Sequence, residues 1–210
     1  MELYVIRHGT TEWNKEHKLQ GASDIPLDED GRALAQETAE GMKGIHFDRC
    51  YTSPLSRAAE TARIILGDSG TPVFEDERLK EFCFDTLEGH GCKESDPDYD
   101  PLMGQIMKFE MDSEIAAEGG ENLKQVLART ASFAEELLGD PARENERILL
   151  SMHGVSGRAL MHYFWGGDDF WRGNVPRNCT VCIVRLDHGQ VREIEKDVVF
   201  FRSEGCDYYD

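Results

Sequence analysis

The sequence has no long apolar run. No stretch of its 210 residues approaches the roughly 20 consecutive apolar residues that a membrane-crossing helix needs. Its start lacks the basic residues and small-residue cleavage site of a secretory signal, so a cytoplasmic location is expected. Positive charge is scarce: 23 Lys and Arg stand against 41 Asp and Glu, a formal net charge of −18. Such a surface repels phosphodiester backbones and anionic lipid alike, which argues against nucleic acid and against membranes as partners. No internal repeat or low-complexity tract is visible. Forty per cent of the residues are hydrophobic, enough to fill the core of one large domain.

The six cysteines, Cys50, Cys83, Cys92, Cys179, Cys182 and Cys206, lack the setting of a disulfide framework, since the chain is long and carries no export signal. Reduced thiols are expected. The spacing of Cys179 and Cys182 resembles half of a metal knuckle. It falls in an apolar run that reads as a strand, where residues three apart point to opposite faces. A structural metal needs about four clustered ligands, so no metal is expected.

What the sequence does contain is a rhythm of short apolar runs and amphipathic segments. "ELYVI" from Glu2, "FDRCYT" from Phe47 and "RILLSM" from Arg147 read as strands, and "TPVFEDERL" holds a shorter one. Helices are expected over 28–42 with Asp28 as N-cap, over 53–66 with Ser53 as cap and Pro54 in the first turn, over 121–138, and over 154–164. The last of these apolar runs, from Cys179, reads as two strands joined at Asp187-His188-Gly189. Strands alternating with helices predict an α/β fold: a three-layer α/β/α arrangement with a mostly parallel central sheet. The acidic stretch at about 89–119 breaks the rhythm and is expected to be an inserted lid within a single domain covering 1–210.

Three expected strands end alike. "LYVI" runs into Arg7-His8-Gly9, "RCYT" into Ser53-Pro54 and then Arg57, and "ILLSM" into His153-Gly154. In open α/β sheets ligands bind beyond the carboxyl ends of the strands, so two arginines and two histidines should meet at one edge, beside helix N-termini that favour anions. A phosphoryl group suits such a donor set.

The segments "RHGTTEWN", "SPLSRAAETA", "RLKEF…LEG" and "MHGVSGRAL" occur in the order and approximate spacing of the histidine phosphatase superfamily. The chain resembles its branch 1, the phosphoglycerate mutase-like branch, over nearly its whole length and least between Gly91 and Ala117. The resemblance implies that His8 is the nucleophile that becomes phosphohistidine. Arg7, Arg57 and His153, the last protonated, would form the phosphate pocket, and Glu81 would give a proton to the leaving oxygen. It further implies phosphate contact at Asn14, substrate contact at Gln20 and Gly21, and close ligand approach at Gly154. No cofactor is implied. Gly120-Glu121 resembles the opening of the helix after the insertion, and Asn178-Cys179 the start of a core strand, where a packing role is expected.

Family mutases hold a second anionic group with paired arginines on a longer insertion. Here the insertion carries Lys93 and Lys108 among many acids, and Thr10 stands where many members carry glutamate. The favoured expectation is therefore a metal-independent phosphatase acting on a small phosphorylated metabolite. The alternatives are a cofactor-dependent phosphoglycerate mutase and, less favoured, a non-catalytic phosphate-binding protein. The acidic insertion raises the further expectation of a neutral or amino-bearing alcohol in the substrate. A homo-oligomer is compatible with the sequence.

Overall fold

In a computed structural model, residues 1–170 and 175–202 are described; Cys206 lies outside them. Six strands form one sheet in the order β3-β2-β4-β1-β5-β6. They are β1 (Glu2–Arg7), β2 (Arg49–Thr52), β3 (Val73–Glu75), β4 (Arg147–Met152), β5 (Val181–Asp187) and β6 (Gln190–Val198). The first four run parallel to their neighbours among themselves. β5 runs antiparallel to β1, and β6 antiparallel to β5. The connection from β5 to β6 is the two-residue turn His188-Gly189, with φ of 49° and 71°, the doubly left-handed backbone that suits a tight hairpin.

The helices are α1 (Glu12–Lys15), α2 (Glu29–Gly41), α3 (Ser56–Leu66), α4 (Pro101–Ile106), α5 (Leu123–Leu138) and α6 (Gly154–Trp165). Strand residues alternate between the two faces of the sheet. Tyr4 and Ile6 pack with Leu34, Ala35, Ala62 and Leu66 from α2 and α3. Leu3 and Val5 pack with Phe133, Leu137, Leu160 and Met161 from α5 and α6. That is why β1 reads as continuously apolar: it is covered on both sides. The expected strand does not reach Cys179, which lies in the turn before β5 with φ of 57°; it belongs to the first of these clusters, while Cys182 packs against the second. Burial pushes the thiols of Cys50 and Cys179 up to about 12, so both behave as packing groups.

Asp28 caps α2 as expected, its carboxylate accepting from the Gly31 N–H. Ser53 does not cap α3. That helix begins three residues later behind Leu55 and has no side-chain cap, because the Ser53 hydroxyl is committed elsewhere. A third apolar cluster lies beyond the end of the sheet. It joins Phe82, Phe84 and Leu87 to Met103, Ile106, Phe109 and Ala117 of the acidic stretch, and to Val155 and Ala159 of α6. The insertion thus has an apolar inner side. Its acids Glu94, Asp98, Glu110, Asp112, Glu114 and Glu118 are exposed. Among the described residues no helix is long and apolar enough to cross a membrane.

Candidate active site

The parallel strands β1, β2 and β4 end at the same edge of the sheet, and the polar residues that follow them converge there. Arg7 closes β1, and its Nη1 donates to the Pro176 carbonyl at 2.5 Å. His8 follows, with its backbone N–H on the Met152 carbonyl of β4. The His8 ring is buried, and its Nδ1 lies 2.6 Å from the Gly9 carbonyl. A carbonyl only accepts, so Nδ1 carries the proton and Nε2 keeps its lone pair. Burial, then the Arg57 and Arg7 cations, push His8 well below the usual histidine range. At neutral pH the ring is uncharged, as a nucleophile must be.

The backbone around His8 is held from several sides. Asn178 Nδ2 donates to the His8 carbonyl at 2.9 Å and to the Gly9 carbonyl at 3.2 Å. The Gly9 N–H donates to Thr61 Oγ1 on α3 at 3.0 Å. A Cβ on Gly9 would fall 2.6 Å from the Gly31 carbonyl. That glycine therefore admits α2 against the nucleophile's loop rather than clearing a path for ligand. Asn178, expected to serve packing, instead anchors the carbonyl that sets the His8 tautomer.

His153 sits against His8, ring centroids 5.1 Å apart at 61°. Its Nε2 is 2.8 Å from Ser53 Oγ, which also accepts from the Leu55 N–H. Burial and the nearby Arg57 push His153 too well below the usual range. Both oppose a proton on this ring, so the protonated His153 expected from the sequence would need the charge of a bound phosphate to offset them.

Arg57, on the first turn of α3, is fully buried. Nη1 donates to the Ser23 carbonyl at 2.7 Å and Nη2 to the Gly21 carbonyl at 2.6 Å, while Nε makes no hydrogen bond. Burial lowers Arg57 to about 10, offset in part by Glu81, Asp24 and Glu88, so it remains a cation at neutral pH. Its two carbonyl acceptors are themselves fixed by Glu88, whose carboxylate accepts from the N–H groups of Ala22, Ser23 and Phe84. Gly21 has φ of +55°, and a Cβ there would lie 2.1 Å from the Glu88 carboxylate. Gly21 is a support for Arg57 in addition to lying near the site.

Glu81 is half-buried at the start of α6. Oε1 accepts from the N–H groups of Ser156 and Phe82, and Oε2 from that of Val155. A Cβ on Gly154 would sit 3.2 Å from Val175 Cγ1, a tight contact, and within van der Waals contact of Glu81 Oε2 and Arg7 Cζ at 3.6 and 3.9 Å. Arg129 of α5 braces the segment that carries Glu81. It donates to the carbonyls of Arg78, Lys80 and Glu81 at 2.7, 2.7 and 3.0 Å. It also pairs with Glu121 at 2.8 and 3.0 Å, and Glu121 accepts in turn from the Cys83 N–H.

Arg7, His8, Arg57, Glu81, Gln20 and Gly154 line one cavity of about 270 Å³. Asn14 does not line it. Its Oδ1 accepts from the N–H and hydroxyl of Thr11, completing the capping box of α1. Thr10 is buried and donates to Asp28, away from the cavity rim. Sequence reasoning assigned no role to Ser53 beyond capping, nor to Glu88, Arg129 or Thr61. Glu88 lay inside a motif that could have flagged it; Arg129 offered no local signal.

The arrangement offers a neutral imidazole with a free nitrogen, two guanidinium groups, a carboxyl group opposite and helix N-termini between them. It can accept a phosphoryl group and supply a proton to a leaving oxygen. The chain is 34% identical over 164 residues, covering 76% of this chain and 77% of the relative, to a 2,3-bisphosphoglycerate-dependent phosphoglycerate mutase of Parvibaculum lavamentivorans. Bacillus stearothermophilus YhfR superposes with a TM-score of 0.84 at 30% identity, covering 95% of this chain and 98% of that one. A mycobacterial glucosyl-3-phosphoglycerate phosphatase, solved in complex with VO3, gives a TM-score of 0.80 at 25% identity, covering 93% and 97%. The family model of the histidine phosphatase superfamily, branch 1, matches residues 3–196, and the chain belongs to that family.

Proposed function

We propose that this chain is a phosphatase that hydrolyses a small phosphomonoester in the cytoplasm through a phosphohistidine at His8. The observation that carries the reading is the His8 tautomer. Nδ1–H is fixed on the Gly9 carbonyl, and the remaining nitrogen is available beside Arg7 and Arg57 in the same cavity. Nε2 forms the bond to phosphorus as the bond from phosphorus to the alcohol oxygen breaks. Glu81 gives its proton to that oxygen, and Arg7 and Arg57 hold the phosphoryl charge through the transition state. Water then attacks the phosphohistidine, Glu81 takes a proton back, the P–N bond breaks, and inorganic phosphate leaves with His8 restored. The two guanidinium groups supply the electrostatic stabilisation, so the sequence of steps calls on no metal.

Hydrolysis is preferred to mutase chemistry because of what surrounds the phosphate floor. Among the described residues that line the cavity beyond Arg7 and Arg57, Lys93 is the one lysine or arginine. A phosphoglycerate must place a carboxylate there, and a bisphosphoglycerate a second phosphate. The mutase alternative is favoured by the name of the relative from P. lavamentivorans. A non-catalytic phosphate binder has no use for Glu81 opposite the nucleophile.

The test is phosphate release from p-nitrophenyl phosphate by the parent and by His8→Ala, each with and without a chelator. Release is expected from the parent alone and is insensitive to chelation. Activity that survives in His8→Ala contradicts the mechanism. Conversion of 3- to 2-phosphoglycerate in the presence of bisphosphoglycerate, faster than phosphate release, decides for the mutase.

A further inference from the structure

The role of His8 accounts for one half of the substrate, the phosphate. The other half must occupy the space above it. There the cavity wall is made by Leu19, Phe84, Met107, Val155 and Val175. Leu19, Phe84 and Val155 are buried members of the third apolar cluster, and Met107 packs against it. The wall is therefore a face of that cluster, to which the insertion contributes Met107. Phe84 is further fixed by Phe82, ring centroids 4.4 Å apart.

The insertion's acids lie elsewhere. Its exposed acids contribute nothing to the cavity lining. Asp96 and Asp100 are occupied by the N–H groups of Lys93 and Leu102. Among the described lining residues Glu81 is the one carboxylate, and it faces the phosphate end. An ammonium group on the substrate therefore finds no counter-charge, contrary to what the acidic composition alone implies. A second anion finds Lys93, with His17 and Gln20 as the other polar side chains, beside a wall of five apolar ones where losing hydration is costly. Hydrocarbon is the one chemistry that gains with every group placed against this wall.

We propose that the site selects phosphomonoesters of uncharged, apolar alcohols: a short alkyl chain or a single ring bearing one phosphate. The inference rests on the phosphatase reading above and adds to it the class of alcohol. A cavity of about 270 Å³ lies just below the usual range of ligand sites, about 300–1,000 Å³, which limits the alcohol to that size.

The test uses a series with closely matched primary leaving groups: methyl, propyl, hexyl and 2-phenylethyl phosphates beside glycerol 3-phosphate, phosphoethanolamine and 3-phosphoglycerate. kcat/KM should rise by roughly threefold to fourfold per methylene while the chain stays within the wall. Hexyl and phenylethyl phosphates should exceed all three polar probes by at least about tenfold. Met107→Lys should flatten the series and move 3-phosphoglycerate up the ranking. The hexyl-to-methyl ratio within one preparation does not depend on the fraction folded. A flat alkyl series, a polar probe at the top, or an unaltered ratio in Met107→Lys overturns the proposal. Release of phosphate from no probe, methyl phosphate included, overturns the phosphatase reading itself.

Discussion

Replacing Arg129 with Met tests how Glu81 is held. The guanidinium makes hydrogen bonds to three consecutive-region carbonyls, of Arg78, Lys80 and Glu81, and two to Glu121. Its side chain is 17% exposed and that of Glu121 23%. Bonds to a charged donor contribute about 1.5–3 kcal/mol each but are not additive. Allowing for partial solvation, the loss should be about 2–4 kcal/mol of folding stability, part of it from the unpaired Glu121 carboxylate. The kinetic effect should be selective. A general acid contributes about 10²–10⁴-fold when the leaving group is poor, and little when it departs readily as a phenolate. The assay is kcat/KM, which reports steps through transfer to His8, for p-nitrophenyl phosphate and for methyl phosphate. Glu81→Gln should depress the second far more than the first. Arg129→Met should follow the same pattern, reduced to about 10- to 100-fold on methyl phosphate. Equal losses on both substrates would mean that Arg129 serves folding alone, and no loss on either would refute the brace altogether.

Three further outcomes are expected. Below pH 6.5 the unfolded histidines at positions 8 and 153 bind protons that the buried folded rings refuse, so stability falls as pH falls from 6.5 toward the folded values. Each ring adds a slope of about 1.4 kcal/mol per pH unit, and urea titrations of His8→Gln and His153→Gln should each show one ring's share removed. Gly21→Ala forces a side chain into the left-handed region and onto the Glu88 carboxylate. It should cost about 1–3 kcal/mol by thermal denaturation and raise KM, because the carbonyls that hold Arg57 move. Asn178→Ala removes both donors from the His8 and Gly9 carbonyls and should lower kcat at least about tenfold through a misplaced imidazole. Unchanged kcat would show that the Gly9 carbonyl alone holds the ring.

Local pattern carried much of this protein. Alternation and apolar runs marked the strands, and the polar residues after Ile6, Thr52 and Met152 marked the edge where they would meet. Asp28 announced its helix through capping chemistry that spans only three residues. The residues proposed as nucleophile and phosphate-binding arginines lie in short motifs at strand ends, and Glu81, proposed as proton donor, lies in a further motif between β3 and the insertion.

What the sequence could not decide was which way side chains face and what holds them. Acids at 94–118 dominate the insertion's composition, yet they lie outside while Met103, Ile106 and Phe109 turn inward. Net charge does not report the direction of burial. Burial and then Arg57, 96 residues away in the chain, oppose a proton on His153. The anchoring of His8 by Asn178 and the bracing of Glu81 by Arg129 join residues separated by 170 and 48 positions. The sequence by itself determined the chemistry available at the sheet edge. The tertiary structure alone decided its protonation, its rigidity and the apolar wall above it, because those follow from desolvation and long-range contact, which no local pattern encodes.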